Sequence, residues 1–493
     1  MGPSPPSAIE SALADVSDKS KTAESARVNK SAGSKTPKAK GQERSSRSPK
    51  TGPSGFEIVS TIEELEAVAK ELMTEEVVAF DTEADSFYHY FDKVCLVQVA
   101  THKKCWLIDP LALGGPKNLA PLAPVFSSRK VRVLFHAAEY DIYVLKRDCD
   151  FEFRNLFDTM VSAQLLGYPA IGLAALVEKH FGVSLPKDEQ RSDWSRRPLT
   201  EKQLSYAASD VLYLIQLADK LEKELNKAGR LDWAKADFET LCGRRWPDRE
   251  FDELGYLRIK GARSLDPIEL AVLRELFLFR DERAREIDRP PFKVLGNRTL
   301  LEISRAQTAD LDSLSEIKGI SDLILKRQGK DLVAAVKKGI RRPHGPIPKL
   351  ETTVRRRMDR RTEKRLSALK DWRGPRADSL KLDPGVLCPN AALEAIAWAA
   401  PSKAKDLKDL PELKKWFVSE FAGEIVEVLE RHDSEVEAAA DTEGSEPPKA
   451  KRARRSGRGR SGASRAKAKA RRAQKAEDTT ATGSDSDDGQ ASD

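Results

Sequence analysis

Two acidic side chains at the end of an apolar segment are spaced so that they could hold a metal ion. Asp81 and Glu83 close the run 76–83, whose β-branched and aromatic residues predict a strand. Residues two apart in a strand lie on the same face, so both carboxylates should point into one space. Their mutual repulsion would be relieved by a divalent cation. The more common explanation of such a triplet, an exposed and solvated strand end, stays open from these residues alone.

Two further segments supply side chains for the same chemistry. Asp141 lies in the first turn of a helix predicted over 139–147, directly after a strand predicted over 131–136. Tyr206 and Asp210 are four residues apart and share one face of a helix predicted over 200–228. Asp210 stands in an otherwise apolar stretch, where an unpaired carboxylate is costly. The alternative is that Asp210 caps or bridges to a basic neighbour and that Tyr206 belongs to the core.

The elements that must position these side chains predict a mixed α/β sheet flanked by helices. Further strands are predicted at 93–101 and 103–110, close enough to pair antiparallel with 76–83. Helical patterns cover 61–72, 159–167 and 172–181. After about residue 250 the strand patterns stop, and 266–339 and 363–431 both alternate helix and turn. The chain therefore predicts an α/β domain followed by two small all-α domains.

Three ordered motifs resemble those of the DEDD exonuclease superfamily, in its tyrosine-containing branch. They are FDTE (80–83), HAAEYD (136–141) and YAASD (206–210), and the segment 190–211 is similar to ribonuclease D in particular. Tyr206 stands four residues before Asp210, as in that branch, whereas the histidine branch would have His where this chain has Ser205. The helical blocks resemble the paired HRDC domains that follow the ribonuclease D catalytic domain, the second more weakly. The resemblance covers about 56–430.

The resemblance implies a ribonuclease H-like sheet that carries a two-metal site. Asp81, Glu83, Asp141 and Asp210 would hold two divalent cations, with Asp81 shared by both, and Tyr206 would orient the attacking water. An all-oxygen site without Cys or His suits Mg²⁺ or Mn²⁺. No small-molecule cofactor is expected.

The implied reaction is 3′–5′ exonucleolytic hydrolysis of RNA. It would release nucleoside 5′-monophosphates one at a time, in the processing of tRNA-type precursors or in RNA decay. One alternative is the same fold acting mainly on DNA. Another is a non-catalytic RNA-binding or tethering protein whose tails and helical domains do the work.

Other side chains near the motifs have less specific patterns. Candidate ligands of substrate phosphates are Arg191, Arg196 and Arg197, although a solvated basic loop explains them equally well. Aromatic residues past the first motif could stack a terminal base or simply pack: Phe87, Tyr88 and Tyr90.

Further polar residues beside the motifs are expected to have structural roles. Asp158 is predicted to cap a helix and His136 to form hydrogen bonds in the core. Glu139 corresponds to no metal ligand of the family, and Asp85 and His89 in the loop after the first motif are assigned no role.

The predicted domains follow from these patterns. They are a disordered basic tail (1–54), a 3′–5′ exonuclease domain (55–230), a linker (231–262), a first HRDC-like domain (263–341), a basic linker (342–362), a second HRDC-like domain (363–432), and a disordered tail that is first basic and then acidic (433–493).

Charge is concentrated at the ends of the chain. The 493 residues contain 85 Lys and Arg against 78 Asp and Glu, a net charge of +7. Residues 1–50 carry +5 and 449–475 carry +13, whereas 477–493 carry −6. Within the body, 341–373 is the basic segment, at +8. The basic part of the C-terminal tail is typical of an arm that binds nucleic-acid phosphates. The alternative is a nuclear localisation signal.

The remaining expectations concern partners and compartment. The predicted partner is RNA, with DNA possible, and the protein is expected to act as a monomer. The sequence contains no run of about 18 apolar residues that would predict a membrane helix. Five scattered cysteines indicate neither a disulfide framework nor a zinc site and suit a reducing compartment. We expect the cytoplasm, with the nucleus as the alternative.

Overall fold

The computed structural model describes residues 55–247, 250–342, 345 and 358–443, with side chains to residue 434. The predicted tail 1–54, the segment 346–357 and residues from 444 onward lie outside the described residues. No described helix combines the length and the apolar character needed to cross a membrane.

A six-stranded mixed sheet forms the centre of the first domain, within the described residues. Its strands are β1 (Glu57–Val59), β2 (Val77–Ala84), β3 (Val94–Ala100), β4 (Cys105–Ile108), β5 (Arg132–Phe135) and β6 (Leu156–Asp158), in the order β1-β4-β3-β2-β5-β6. The run β2, β3 and β4 is antiparallel, as the short connections predict, whereas β1, β5 and β6 pair in parallel with their neighbours. The α/β class is confirmed.

Helices and 3₁₀ turns connect and cover these strands. They are α1 (Ile62–Leu72), a 3₁₀ turn (Pro116–Leu122), α2 (Ala123–Ser127), α3 (Glu139–Cys149), α4 (Thr159–Leu165), α5 (Leu173–Phe181), α6 (Glu201–Leu212), α7 (Leu214–Lys227) and α8 (Leu231–Gly243). The helix predicted over 200–228 is divided at Tyr213. The reason is packing, since α6 lies across β2, β3 and β4, whereas α7 packs on α4, β2 and β5.

Residues 231–262, predicted as a linker, contain helix α8. Trp233, Ala234 and Phe238 are buried on one side of α8, and Phe238 packs on Phe157 of β6 with ring centroids 5.0 Å apart. Within the predicted linker, residues 231–243 therefore extend the core of the first domain.

The first helical region, defined here as α9 to α13, has a core of its own. After short 3₁₀ turns (Gly255–Arg258 and Ala262–Ser264) come α9 (Pro267–Glu286), α10 (Pro291–Val294), α11 (Asn297–Ala306), α12 (Leu311–Ser315) and α13 (Asp322–Arg341). Apolar side chains from α9, α11 and α13 form one buried cluster. Asp266 caps α9 with a reciprocal Glu269 hydrogen bond, which fixes where the region begins.

The second helical region, α14 to α17, shares the core of the α/β domain. It comprises α14 (Arg360–Leu380), α15 (Pro384–Leu387), α16 (Asn390–Ala399), a 3₁₀ turn (Ala404–Asp409) and α17 (Lys415–Glu443). Trp416 of α17 stacks on Trp233 of α8, with ring centroids 4.5 Å apart. Helix α17 runs beyond the predicted start of the disordered tail at 433, where Ala and Glu, both good helix formers, make up half of HDSEVEAAADTE.

Candidate active site

Three carboxylates from two elements converge on one point above the sheet. Asp81 and Glu83 extend from β2, and Asp210 extends from α6, which packs across β2, β3 and β4. One oxygen of each acid lies within 4.8 Å of an oxygen of the other two. The strand alternation and the helix face predicted from sequence therefore bring these three predicted residues together.

Helix α6 holds Tyr206 and Asp210 over the sheet. Its N-terminus is fixed by capping, and one of its faces is buried. Thr200 and Gln203 form a reciprocal capping box at its N-terminus. Tyr206 is buried, and its ring lies beside the indole of Trp194 with centroids 6.1 Å apart. The Tyr206 hydroxyl hydrogen-bonds to the Asp210 carboxylate one helical turn further on. The site thus contains the predicted tyrosine with its hydroxyl already engaged.

Asp141 approaches the site from α3 but stands outside the group of three. The Thr82 hydroxyl donates a 2.6 Å hydrogen bond to Asp141 Oδ1. Asp141 is close enough that its charge is the largest electrostatic influence on Asp81. Thr82, between the two acids of β2, therefore orients the fourth acid.

The turn that leads into α3 is held by Asp158, whose predicted capping role is confirmed. Asp158 caps α4 through the backbone N–H groups of Met160 and Val161. It also accepts hydrogen bonds from the backbone N–H groups of Ala137 and Ala138, at 3.2 and 2.8 Å.

His136 also has the structural role predicted for it. Its Nδ1 lies 2.9 Å from Thr159 Oγ1, so His136 is a hydrogen-bonding residue of the core.

The acids of the site bear strongly raised pKa values. Burial raises the pKa of Asp81 well above its usual range, and the charges of Asp141, Asp210 and Glu83 raise it further. Burial, followed by the charges of Asp210 and Asp141, does the same for Glu83. Burial raises the pKa of Asp141 to about 7 against the opposing effect of the Thr82 hydrogen bond.

The pKa values of Asp210 and Tyr206, which both lie on α6, are also raised. Burial raises the pKa of Asp210 to about 7, against the lowering effect of the Tyr206 hydrogen bond. Burial and the neighbouring acids raise the pKa of Tyr206, so its hydroxyl keeps its proton at neutral pH.

These residues fit a hard divalent cation. None of the four acids forms an ion pair with a Lys, Arg or His among the residues described. Carboxylate oxygens crowded together without a counter-charge form the ligand set that Mg²⁺, Mn²⁺ or Ca²⁺ prefers. A bound cation would supply the counter-charge that these buried carboxylates lack when they are ionised.

The three arginines that were predicted to bind substrate have different environments in the structure. Arg197 pairs with both carboxylate oxygens of Asp109, at 2.5 and 2.7 Å, and donates to the backbone carbonyls of Cys95 and Trp194. Its guanidinium is therefore already engaged by contacts within the fold. The side chain of Arg196 is 81% exposed and forms an ion pair with Asp193, at 3.2 Å. Arg191 is exposed.

The loop after the first motif contacts the first helical region instead of remaining free. The Tyr90 hydroxyl donates to Asp281, and Lys293 Nζ lies 3.7 Å from the centroid of the Tyr88 ring. His89 Nδ1 lies 2.6 Å from Asp288 Oδ2. Tyr90 is therefore a packing residue. The contact of Asp288 with this loop could not be predicted from local sequence, because about 200 residues separate the two.

The comparisons with family models divide the chain into three matching parts. Residues 56–226 match the model of a 3′–5′ exonuclease domain. Residues 269–336 and 362–429 each match the model of the HRDC domain. An acid-bearing mixed sheet joined to two such modules defines a 3′–5′ exonuclease with HRDC domains.

Several relatives are similar over most of this arrangement. The ribonuclease D of Nitrobacter hamburgensis is 33% identical over 298 residues, which are 60% of this chain and 77% of that protein. The ribonuclease D of Desulfotalea psychrophila is 29% identical over 332 residues, 67% of this chain and 87% of that protein. The chain belongs to the ribonuclease D family and is a 3′–5′ exoribonuclease.

Solved structures agree with this assignment. The crystal structure of Escherichia coli RNase D, described as an exoribonuclease involved in structured RNA processing, matches with a TM-score of 0.56 and 27% identity, over 77% of this chain and 99% of that chain. The catalytic core of RRP6 from Trypanosoma brucei matches with a TM-score of 0.53 and 30% identity, over 57% of this chain and 80% of that chain.

Proposed function

We propose that this protein shortens RNA from a free 3′ end, one nucleoside 5′-monophosphate at a time, in a reaction that depends on Mg²⁺ or Mn²⁺. The observation that carries the proposal is the convergence of Asp81, Glu83 and Asp210 within 4.8 Å of one another, without a basic partner among the described residues. Precursors of the tRNA type are the substrates we propose, because the ribonuclease D family is the one to which the chain belongs.

The four acids have distinct proposed roles. Asp81, Glu83 and Asp210 would hold one cation, and Asp81 with Asp141 would hold the second. Two bound cations supply a nucleophile at neutral pH and stabilise the departing 3′ oxygen. Thr82 keeps the Asp141 carboxylate aimed at the site through its 2.6 Å hydrogen bond.

Tyr206 is proposed to position the attacking water. Its hydroxyl remains protonated and reaches the Asp210 carboxylate, so it stands beside the acid group on the side of α6. The ring is fixed by the contact with Trp194. A fixed hydroxyl at this place can orient a water molecule for in-line attack without reorganisation during the reaction.

A cleft beside the acids is the proposed path of the RNA backbone. A cavity of about 830 Å³ is lined by Tyr88, Arg196 and Lys202, among others, and shares Lys202 with a second cavity of about 360 Å³ that reaches Tyr206. Arg196 and Lys202 are exposed cations in this cleft. We propose that they, together with Arg191, bind phosphates upstream of the 3′ end.

The decisive experiment follows 5′-labelled RNA with a free or a phosphorylated 3′ end, in Mg²⁺ and in Mn²⁺. The wild type should shorten only the 3′-hydroxyl RNA in single-nucleotide steps, and Asp210→Ala should reduce the rate at least a thousandfold. Equal amounts of DNA of the same sequence show whether RNA is preferred. Intact 3′-hydroxyl RNA in both metals would overturn the proposal and favour a tethering role.

We further propose that the protein acts as a monomer in the cytoplasm. The proposed domain boundaries are 263–341 for the first helical region and 363–432 for the second. The separate buried core of the first module supports its boundary. Light scattering during gel filtration at several concentrations tests the oligomeric state.

A further inference from the structure

A completely buried amide lies next to the acid cluster without a partner. Gln98 is in the middle of β3, and its side chain has no contact with solvent. Neither its Nε2 nor its Oε1 forms a hydrogen bond with any residue in the described part of the chain. An amide left unpaired in a protein interior is costly, and native folds rarely tolerate one without a reason.

The strand register directs this amide towards the first acid of the site. In the antiparallel pair of β2 and β3, Gln98 stands directly opposite Asp81, and Leu96 stands opposite Glu83. Residues directly opposite each other project from the same face, with their Cβ atoms about 4.5–5.5 Å apart. Helix α6, which carries Asp210, covers these strands. The amide of Gln98 is therefore within reach of the Asp81 carboxylate.

The same register makes Asp81 different from its neighbour. Leu96 offers Glu83 no polar group from β3, whereas Gln98 offers Asp81 two N–H donors. Asp81 is also the acid proposed to serve both cations, so the orientation of its carboxylate matters most. Metal-binding carboxylates are typically hydrogen-bonded in turn, and that partner fixes their orientation.

We propose that Gln98 is a positioning residue of the metal site: when divalent cations are bound, its Nε2–H donates to the Asp81 carboxylate and holds that ligand in place. The inference rests on the proposed function, since it assumes that Asp81 binds a cation. Gln98 itself touches neither the cation nor the RNA. Its unpaired amide is the polar partner that the loaded site uses.

The test compares Gln98→Met, which keeps the length and removes the donor, with Leu107→Met as the matched control. Leu107 is fully buried on β4 and stands opposite Gln98 on the side away from Asp81. Mn²⁺ affinity is measured by calorimetry without RNA, and thermal unfolding is measured with EDTA and with Mn²⁺. Gln98→Met should weaken Mn²⁺ binding about 10- to 100-fold. In EDTA it should melt at or above the wild-type temperature, because a buried unpaired amide is gone.

The control and two further variants sharpen the result. Leu107→Met should leave Mn²⁺ affinity within about threefold of the wild type, since it exchanges similar volumes. Gln98→Asn keeps the donor but withdraws it by one methylene, so an intermediate affinity is expected. Gln98→Leu replaces Gln98→Met if that variant does not fold.

Two outcomes would overturn the inference, and they can be told apart. If Gln98→Met binds Mn²⁺ as tightly as the wild type, or loses as much thermal stability in EDTA as in Mn²⁺, the amide is only structural. If the wild type itself binds no Mn²⁺, the proposed metal site fails and the inference fails with it.

Discussion

At the scale of single residues, the site depends on hydrogen bonds that aim its acids. The Thr82 hydroxyl donates to Asp141, and the Tyr206 hydroxyl donates to Asp210. Each donor stabilises the charged form of a carboxylate whose burial favours the neutral form. Removing either one therefore disturbs both the direction and the charge of an acid.

Thr82→Val removes the hydroxyl from a side chain of nearly the same shape. We expect kcat/KM on RNA to fall about 10- to 100-fold, because Asp141 loses its fixed orientation. The free energy of unfolding should change by about 1–3 kcal/mol, measured by urea titration. Thr82→Ser keeps the donor and should retain most of the activity. Equal rates for the Val and Ser variants would contradict the role of this hydrogen bond.

Tyr206→Phe removes the hydroxyl but keeps the ring that packs beside Trp194. We expect kcat to fall about 10²-fold with little change in KM, since misplacing the attacking water by about 1 Å costs about this much. Single-turnover digestion of labelled RNA measures the chemical step. Tyr213→Phe, at the junction of α6 and α7, is the control and should be close to wild type. A fully active Tyr206→Phe would remove Tyr206 from the reaction.

The side chains that lie in motifs could be assigned to the site from the sequence. Those that reach it through tertiary contacts could not. Asp81, Glu83 and Asp210 are placed together by periodicities that can be counted along the chain. Strand pairing places Gln98 opposite Asp81, and the first helical region brings Asp288 to the loop after β2, and no local pattern encodes either arrangement. The pairing of Arg197 with Asp109, which lies 88 residues away, could likewise not be predicted from local sequence.

At the scale of elements, the loop between β2 and β3 is held by the end of α9. Asp288, two residues beyond that helix, accepts hydrogen bonds from the backbone N–H groups of Tyr90 and Phe91, at 2.9 and 3.1 Å. Its other oxygen contacts His89. The loop begins directly after the acids of β2, so the first helical region fixes one wall of the proposed RNA cleft.

Asp288→Ala should loosen this loop without unfolding the protein. We expect faster hydrogen exchange at the amides of Tyr90 and Phe91, because both lose their acceptor. KM for RNA should rise several-fold while kcat stays nearly constant. Asp288→Asn keeps one acceptor oxygen and tolerates the positive φ of 44°, so it should lie between Asp288→Ala and the wild type. Unchanged exchange in Asp288→Ala would show that the loop is held by other contacts.

Elements with strong periodicity were predicted, whereas those formed by tertiary pairing were missed. The three-residue strands β1 and β6 are too short to show alternation and exist because β4 and β5 offer them an edge. Helix α8 was taken for a linker because its apolar face is narrow, although Trp233 and Phe238 bury it. The mixed sheet and both helical regions were predictable, since their patterns are long.

At the scale of the whole molecule, the second helical region is fixed to the α/β domain. Asp237 of α8 accepts hydrogen bonds from Lys414 Nζ and Trp416 Nε1, at 2.7 and 3.0 Å. In a second contact between these parts, Gly167 lies so close to the carbonyl of Lys381 that an added Cβ would meet it at 1.9 Å. The contact allows no side chain at position 167.

Gly167→Ala should destabilise the protein beyond the cost of its backbone conformation. Gly229→Ala is the matched control, because Gly229 has a similar φ, 67° against 75°, but no atom within 4 Å of an added Cβ. The control should lose about 1 kcal/mol of unfolding free energy in urea. Gly167→Ala should lose more and expose α14 to proteolysis before global unfolding. Equal losses would mean that the two parts adjust to each other easily.

The linkage between protons and metal is also a property of the whole molecule, and its sign follows from the raised pKa values. Asp141 and Asp210 have pKa values of about 7 in the metal-free fold, against ordinary values near 4. The metal-free native state therefore binds more protons than the unfolded chain between about pH 4 and pH 7. The stability that these protonated acids contribute is present at low pH and lost as pH rises through about 7.

A divalent cation should reverse this trend, because it binds the ionised acids and releases their protons. We expect the gain in melting temperature on adding Mn²⁺ to grow from pH 5.5 to pH 7.5 and then level off. Calorimetry in buffers of different ionisation enthalpy should detect the protons released at pH 6. Asp210→Asn removes one titrating group and should flatten the metal-free pH dependence. A Mn²⁺ effect that is constant across this range would mean that the acids are already ionised in the metal-free protein, and that their crowding is balanced by something other than protons.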